Sequence, residues 1–477
     1  MKKAALLTAL AGALVLSAPR PALAEQFDAV GAVDAQYDRT ARVARQLWEW
    51  AEVGYQETRS SELLQAELAA NGFTVTAGVA DIPTAFVAEY GSGGPVIAIL
   101  GEFDALPGIS QSDAPTREPV AGLHAGHACG HNLFGAGSLT AAIAIAQWLD
   151  ATGTPGRVRF YGTPAEEGGS GKVYMTRAGL FDDADFAIHW HAGDENSAAA
   201  NTSLANRSAK FRFHGRSAHA AGAPEQGRSA LDGVEAMNMM VNMMREHTTM
   251  DARIHYVITE GGTAPNVIPD FAEVFYYVRH SDPAEVEAMW ERLEAAAEGA
   301  AMGTGTRVEW EVIHGNNPLL VNQSLARMMD AKLRQVGGIE YTPQERAWAE
   351  ELAASLGEAA RPLAVASEIQ PYETSLGYGS TDVGDVSWAT PTVGVRTATW
   401  VPGTAAHSWQ SAAASGTTIG FKGAQVAAKA MTLAAIELFT NPDLRERARA
   451  EFTAARGEGY EYRSLLGDRD PPLDYRK

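Results

Sequence analysis

Apolar residues recur along this chain in two rhythms, and the rhythm changes near residue 207. Over 34–71 they return at helical spacing (Val43, Leu47, Trp50, Leu63, Leu64, Leu68) and Gly72 stops the run, which predicts one long amphipathic helix. Residues 73–77 and 84–90 read as strands. Residues 95–101 form an unbroken apolar run, the pattern of a strand buried on both faces of a parallel sheet. Small apolar residues at helical spacing follow over 137–151, then strands at 157–162 and 186–189. The alternation predicts an α/β fold, a three-layer αβα domain around a mainly parallel sheet.

Beyond 207 the pattern is different. Residues 208–214 alternate like a half-exposed strand, a methionine-rich helix spans 229–245, and strands are predicted at 253–258 and 272–279. A charged amphipathic helix over 283–301 and a strand over 307–313 complete a β-α-β-β-α-β order. That is a compact α+β, ferredoxin-like module inserted into the first domain. The chain then resumes with helices near 323–336 and 344–356, a strand near 392–396 and a long helix over 416–440. The polar, proline-bearing stretch after Gly457 reads as a surface strap. The expected division is a signal segment (1–24), a first catalytic part (25–206), the inserted domain (207–316) and a second catalytic part (317–477).

The first residues change where the protein is expected to act. Lys2 and Lys3 precede an apolar stretch over 4–16 that is too short to span a bilayer, and Ala22-Leu23-Ala24 has the small-x-small form of a cleavage site. A cleaved signal peptide and a periplasmic or secreted mature chain starting near Glu25 are therefore expected. No later segment reads as long and apolar enough for a membrane helix. Losing Lys2, Lys3 and Arg20, and no acids, takes the formal charge from −20 to −23. Such an acidic chain is a poor partner for nucleic acid or for an anionic membrane, and an anionic substrate would have to be met by locally placed basic groups.

The one cysteine lies in His127-Ala128-Cys129-Gly130-His131-Asn132, with His124 close by. An exported lone thiol has no intramolecular disulfide partner, and a bound metal would hold it as thiolate. A buried free cysteine acting as a small hydrophobe is the ordinary alternative. Other reactive groups stand at predicted strand ends, where open α/β sheets place their sites. They are Glu102-Phe103-Asp104, Pro164-Ala-Glu166-Glu167, His189-Trp190-His191 and, further on, Ala406-His407-Ser408. Taken singly, a Glu-Glu pair is a solvated turn, Asp104 a turn cap and His407 a surface histidine. Taken together and in this order, soft and hard ligands on separate loops describe a catalytic metal site. Of two adjacent carboxylates, one can bind metal while the other serves as general base.

These motifs resemble the M20 metallopeptidase and amidohydrolase family over about residues 35–475. They are Gly101-Glu-Phe-Asp-Ala-Leu-Pro, Gly126-His-Ala-Cys-Gly-His-Asn-Leu, Pro164-Ala-Glu-Glu-Gly-Gly, Ser217-Ala-His-Ala-Ala, Gly379-Ser-Thr-Asp-Val-Gly-Asp-Val-Ser and Ala406-His-Ser-Trp. Cys-Gly-His-Asn points to the branch that holds aminobenzoyl-glutamate hydrolases and N-acyl-amino-acid amidohydrolases; Asn132 departs from the plant auxin-conjugate hydrolases, which carry Asp there. The resemblance implies two divalent metal ions, zinc or manganese, on Cys129, His131, Glu167, His191 and His407, with His189 the competing reading for His191. It implies Glu166 as catalytic base and Asp104 as the acid that supports a ligand histidine. Where other branches carry His-x-Asp this chain has Glu102-Phe103-Asp104, so its ligand set must differ.

The inserted domain resembles the family's lid or dimerisation domain, which implies a homodimer. His219 would stabilise the oxyanion, often across the dimer, and Asn266 and Arg279 would grip the substrate carboxylate. Met237, Met239, Met240, Met243 and Met244 read as core or dimer packing. Asp382 and Asp385 either lie near the metals or cap turns. Trp190, Trp388, Trp400 and Trp409 either wall an acyl pocket or belong to the core. The expected function is metal-dependent hydrolysis of an N-acyl or N-aroyl amino acid, such as p-aminobenzoyl-glutamate. The alternatives are a dipeptidase or carboxypeptidase, a hydrolase of an exogenous amide, and a non-catalytic metal-binding protein. The family's naming leaves open whether a second type of subunit is needed.

Overall fold

The computed structural model describes residues 27–476; the expected signal peptide lies outside them. Its larger sheet has seven strands in the order Thr74–Ala77, Phe86–Ser92, Gly156–Gly162, Val96–Gly101, Phe186–Gly193, Thr392–Ala398, Ser197–Ala199. The four strands from Gly156–Gly162 to Thr392–Ala398 run parallel, and antiparallel strands flank them on both edges. Every residue of Val96–Gly101 is buried. Ile97 and Ile99 pack into the core on one face, with helices Tyr37–Trp50, His131–Thr152 and Thr418–Thr440. Ala98 and Leu100 pack into the core on the other, with helices Gly171–Arg177 and Val383–Ala389. Three layers result because both faces of a continuous apolar strand must be covered.

From Val96–Gly101 the chain goes first to the neighbour on one side, Gly156–Gly162, and then to the neighbour on the other, Phe186–Gly193. That reversal opens a crevice at the carboxyl ends of the strands. It sets the loops after Gly101 and Gly162 beside the end of the strand that carries His191.

The predicted helix over 34–71 is broken. Helices Ala29–Asp34, Tyr37–Trp50 and Thr58–Ala70 replace it, with Ala51 (φ 44°) and Tyr55 (φ 62°) in the left-handed region between the last two. The apolar positions at helical spacing skip from Trp50 to Leu63, and across that gap the loop is drawn toward the site. Glu57 accepts from Ala165 N (2.9 Å) and Tyr55 Oη donates to Gly169 O (2.6 Å). Helix His131–Thr152 starts six residues before its periodic pattern, placing His131 in its first turn. This helix meets the length and hydropathy test for a membrane span, contrary to expectation, but 94% of that window is buried in the core. Helices Val383–Ala389, Trp409–Ser415 and Pro442–Arg456 were not foreseen.

The second sheet is antiparallel, in the order Arg253–Glu260, Phe271–His280, Ala205–His214, Arg307–Asn316. Helices Ala230–Arg245 and Pro283–Thr304 pack against it around a separate core that includes Phe211, Phe213, Val234, Tyr276 and Trp290. The return to the first sheet is stitched down. Asn317 N and Nδ2 donate to Asp385 (2.9 and 2.8 Å), and Leu320 N donates to Ser387 Oγ (2.8 Å).

Candidate metal centre

The turn 127–130 is built for close approach. Gly130 has φ 78°, and a Cβ there would sit 2.6 Å from that of Ala192. Glycine thus lets Cys129 reach the strand carrying His191, whose Nε2 is 3.5 Å from Cys129 Sγ. Ligand atoms of Cys129, His131 and His191 lie within 4.8 Å of one another, and so do those of Cys129, Glu167 and His407. One thiol is therefore common to two ligand groups. A third group joins Glu102, His131 and Glu166.

The imidazoles are oriented from behind. His131 Nδ1 is 2.9 Å from Asp104 Oδ1, and His191 Nδ1 is 2.7 Å from Ala192 O. Both pairings place the proton on Nδ1 and leave Nε2 as the ligand atom. Asp104 also accepts from Glu167 N through Oδ2 (2.9 Å). Burial alone would raise the Asp104 carboxyl, but His131, Glu167 N and Lys172 together hold it below its usual range.

The tandem glutamates occupy a strained turn. Ala165 and Ser170 both have φ 57°, Glu167 has ψ 66° and Gly168 has φ 91°. A non-glycine residue in the left-handed region costs about 1–3 kcal/mol and persists only where its surroundings fix it. Here Glu57 holds Ala165 N, Asp104 holds Glu167 N and Tyr55 holds Gly169 O. His407 is also left-handed (φ 60°); its N–H donates to Ala128 O (2.9 Å) and its Nε2 is 3.2 Å from Glu167 Oε1.

Among the described residues, three buried atoms of the ligand groups have no hydrogen-bond partner of good geometry: Glu102 Oε2, His131 Nε2 and Glu167 Oε1. The first two face each other at 3.0 Å. Burial alone would lower the His131 pKa, but Cys129, Glu102 and Asp104 together push it well up, so in the metal-free protein a second ring proton faces Glu102, and a cation on Nε2 would take that proton's place. Buried groups of this kind are normally satisfied. With a thiol and imidazole nitrogens beside them, they fit a divalent cation. Burial pushes the Cys129 thiol up. Burial, then Glu102 and Glu167, push Glu166 well up. A cation would act on both in the opposite sense.

Behind the cluster lies a buried ion network that the motifs did not reveal. Lys172 Nζ is 2.6 Å from Glu102 Oε1 and 2.6 Å from Asp382 Oδ1, with all three side chains 0–1% exposed. Lys172 N also donates to Asp382 Oδ2 (2.9 Å). Asp382 is thus a partner of the lysine, while Asp385 holds Asn317 and accepts from Tyr462 Oη (2.7 Å). Neither caps a turn through its side chain, and neither belongs to the ligand groups. A basic residue five positions beyond the glutamate pair was the available signal for Lys172.

Other expected residues lie elsewhere. His189 is buried near Gly394, outside the three ligand groups; burial first, then Lys172 and Arg396, pushes its pKa down to about 3. His127 bonds Leu47 O and Asn132 N, and His124 is exposed, so neither joins the ligand groups around Cys129. Trp190 and Trp400 are core residues, while Trp388 and Trp409 are part-buried. His219, Asn266 and Arg279 are on the second sheet's side. His219 and Asn266 are exposed; His219 Nδ1 accepts from Ala221 N and Gly222 N (3.2 and 3.0 Å). Arg279 lies over the Tyr277 ring (5.3 Å), and its Nε is buried without a partner. The observed hydrogen bonds of these three do not reach the ligand cluster.

Residues 98–432 match the model of peptidase family M20/M25/M40. The chain is 39% identical to the B-type subunit of p-aminobenzoyl-glutamate hydrolase of Escherichia coli (strain K12), over 88% of this chain and 93% of that one. It is 28% identical to Xaa-Arg dipeptidase of Mus musculus, over 88% and 90%. Among solved structures, an aminobenzoyl-glutamate utilization protein from Klebsiella pneumoniae shares the fold with a TM-score of 0.60 at 18% identity, over 86% of this chain and 98% of that one. A Bacillus subtilis protein described as a dinuclear metal-binding peptidase from the M20 family gives 0.58 at 20%, over 85% and 99%. The chain belongs to peptidase family M20/M25/M40, and it is a metallo-amidohydrolase or peptidase by class.

Two outcomes test this geometry. Lys172→Met leaves two buried carboxylates uncompensated and should cost about 3–5 kcal/mol in denaturant unfolding. Adding Glu102→Gln and Asp382→Asn should recover most of that loss. Because burial keeps the Cys129 thiol protonated, metal binding must release its proton. Apparent affinity, read by chelator competition, should therefore fall by about tenfold per pH unit between about pH 8 and about pH 6 for that one proton. A flat profile would mean that the thiol is not a ligand.

Proposed function

We propose that this chain is a metal-dependent amidohydrolase acting on N-acyl or N-aroyl amino acids, with p-aminobenzoyl-glutamate-like amides as the leading class. The observation that carries the reading is Cys129 shared between two ligand groups, with Glu166 outside both and placed beside them by the third group, through His131. A purely structural metal site has no use for a spare carboxylate there. The substrate class is supported by the 39% identical relative, whose length the match nearly spans.

Two divalent cations, zinc or manganese, would rest on Cys129, His131, His191, Glu167 and His407, supplying a Lewis acid for the amide carbonyl and acidifying water. Glu166 takes the proton of the attacking water and passes it to the leaving amine. His219, whose Nδ1 accepts two backbone N–H groups, presents Nε2–H to the developing oxyanion. Arg279 offers its planar fork to the substrate carboxylate, and Asn266 an amide. These groups stand on the inserted domain, so a closure about the 316–320 connection, or a second copy of the chain, must bring them to the metals. A homodimer through Met239, Met240 and Met243, which are 62%, 42% and 61% exposed on one helix, is the assembly proposed. The E. coli relative is named as one of two subunit types, and the chain is also 27% identical to the A-type partner over 53% of this chain. A second subunit type is therefore the competing arrangement. Residues 1–24 support export to the periplasm or medium.

A dipeptidase is the second reading, supported by the Xaa-Arg dipeptidase relative. A panel containing p-aminobenzoyl-glutamate, N-acyl amino acids and dipeptides, assayed before and after chelation and metal restoration, separates the two. Glu166→Gln should lower kcat by about 100- to 10,000-fold with metal content unchanged. Full activity in that variant, or activity indifferent to chelation, would overturn the proposal.

A further inference from the structure

The strap 460–476 does more than cover a surface. It leaves the second core at Leu465 and enters the first at Leu466. Arg469 donates to Val312 O and Ile313 O (both 2.8 Å), and Arg177 Nη1 donates to the carbonyls of Gly467 and Arg469 (both 2.7 Å). Tyr174 Oη donates to Asp470 O (3.2 Å) and Gln56 Nε2 to Leu473 O (2.9 Å). Its last two described side chains then converge on one atom. Tyr475 Oη donates to Glu167 O at 3.1 Å, and Arg476 Nη2 donates to the same oxygen at 2.8 Å.

That oxygen belongs to the candidate ligand on the strained turn. Glu167 has ψ 66°, outside helical geometry, so its carbonyl cannot count on a helical partner. The surroundings are shaped to admit the tyrosine. A Cβ on Gly54 would lie 2.2 Å from Tyr475 Oη, and the Tyr55 and Tyr475 rings meet edge to face with centroids 5.6 Å apart. Arg476 stacks over the Tyr475 ring at 4.8 Å, which sets its fork beside the carbonyl. On the N-terminal side of the same residue, Asp104 accepts from Glu167 N. The backbone of Glu167 is thus held at both its N–H and its C=O, which fixes where the carboxylate goes.

We propose that Tyr475 and Arg476 are positioning residues for the metal centre: the strap clamps the Glu167 carbonyl and thereby sets the ligand geometry shared with Cys129 and His407. The inference rests on the reading of Glu167 as a ligand, and the test separates the two. Cobalt(II) is titrated into metal-free protein, and its visible and thiolate charge-transfer bands report binding without any substrate. Tyr475→Phe, Arg476→Met and the double variant are compared with wild type, with Glu167→Gln as the reference. Unfolding of the metal-free proteins is measured alongside.

The expected result is an affinity loss of about tenfold or more in the double variant, as for other residues that support metal ligands from behind, with altered cobalt bands and metal-free stability near that of wild type. Arg476→Lys, which keeps a donor, should recover part of the loss. Unchanged affinity in the double variant, with Glu167→Gln impaired, would overturn the strap proposal alone. Unchanged affinity in Glu167→Gln would overturn the ligand reading and the strap proposal with it. A loss matched by an equal fall in metal-free stability would reduce the strap to packing and also overturn the proposal.

Discussion

The carboxylate of Asp104 is the joint on which the site turns. One oxygen meets His131 Nδ1 and the other accepts from Glu167 N, each at 2.9 Å. A single buried group thus fixes the ring on one loop and the backbone on another. Both carry candidate ligands, and the shared carboxylate sets one against the other. The strand Val96–Gly101 supplies the anchorage, because a strand buried on both faces cannot shift without moving two cores. Lys172 lies one layer further out. It neutralises Glu102 and ties it to Asp382, three residues before the Asp385 that holds Asn317 at the connection from the inserted domain. Ligand layer, ion network and interdomain connection are thus physically continuous.

Much of this was legible in the sequence, for reasons that can be stated. Parallel strands buried on both faces must be apolar throughout, so 95–101 announces itself, and the reactive groups at strand ends follow from the topology of open sheets. The family resemblance implied Cys129, His131, Glu167, His191 and His407 as ligands, and the structure brings them into two groups sharing one thiol. The break at 51–57 was not legible. The apolar positions pause between Trp50 and Leu63, but a pause does not locate a loop, and what shapes this one is long-range bonding to Ala165 and Gly169. Lys172 escaped for a similar reason. A lysine within a polar, glycine-rich stretch reads as solvated, and only the tertiary fold supplies the two carboxylates that make burial tolerable.

His219, Asn266 and Arg279 show a different limit. The family resemblance implied that they hold the oxyanion and the substrate carboxylate, and in this structure they stand on another domain with its own core, two of them exposed. Their proposed roles require a closure of the inserted domain or a second copy of the chain to bring them to the ligand cluster. The exposed methionines of the 230–245 helix and the stitched connection at 316–320 are the physical features through which assembly and closure would act.

The central claim is that Cys129 would serve as a thiolate ligand in the metal centre, with His131, His191, Glu167 and His407 around it. X-ray absorption at the metal edge of the reconstituted protein tests it most directly. The account predicts a sulfur scatterer at about 2.3 Å and a metal–metal distance of about 3.5–4 Å, with the sulfur lost in Cys129→Ser. A coordination sphere of nitrogen and oxygen alone, identical in wild type and Cys129→Ser, would contradict it.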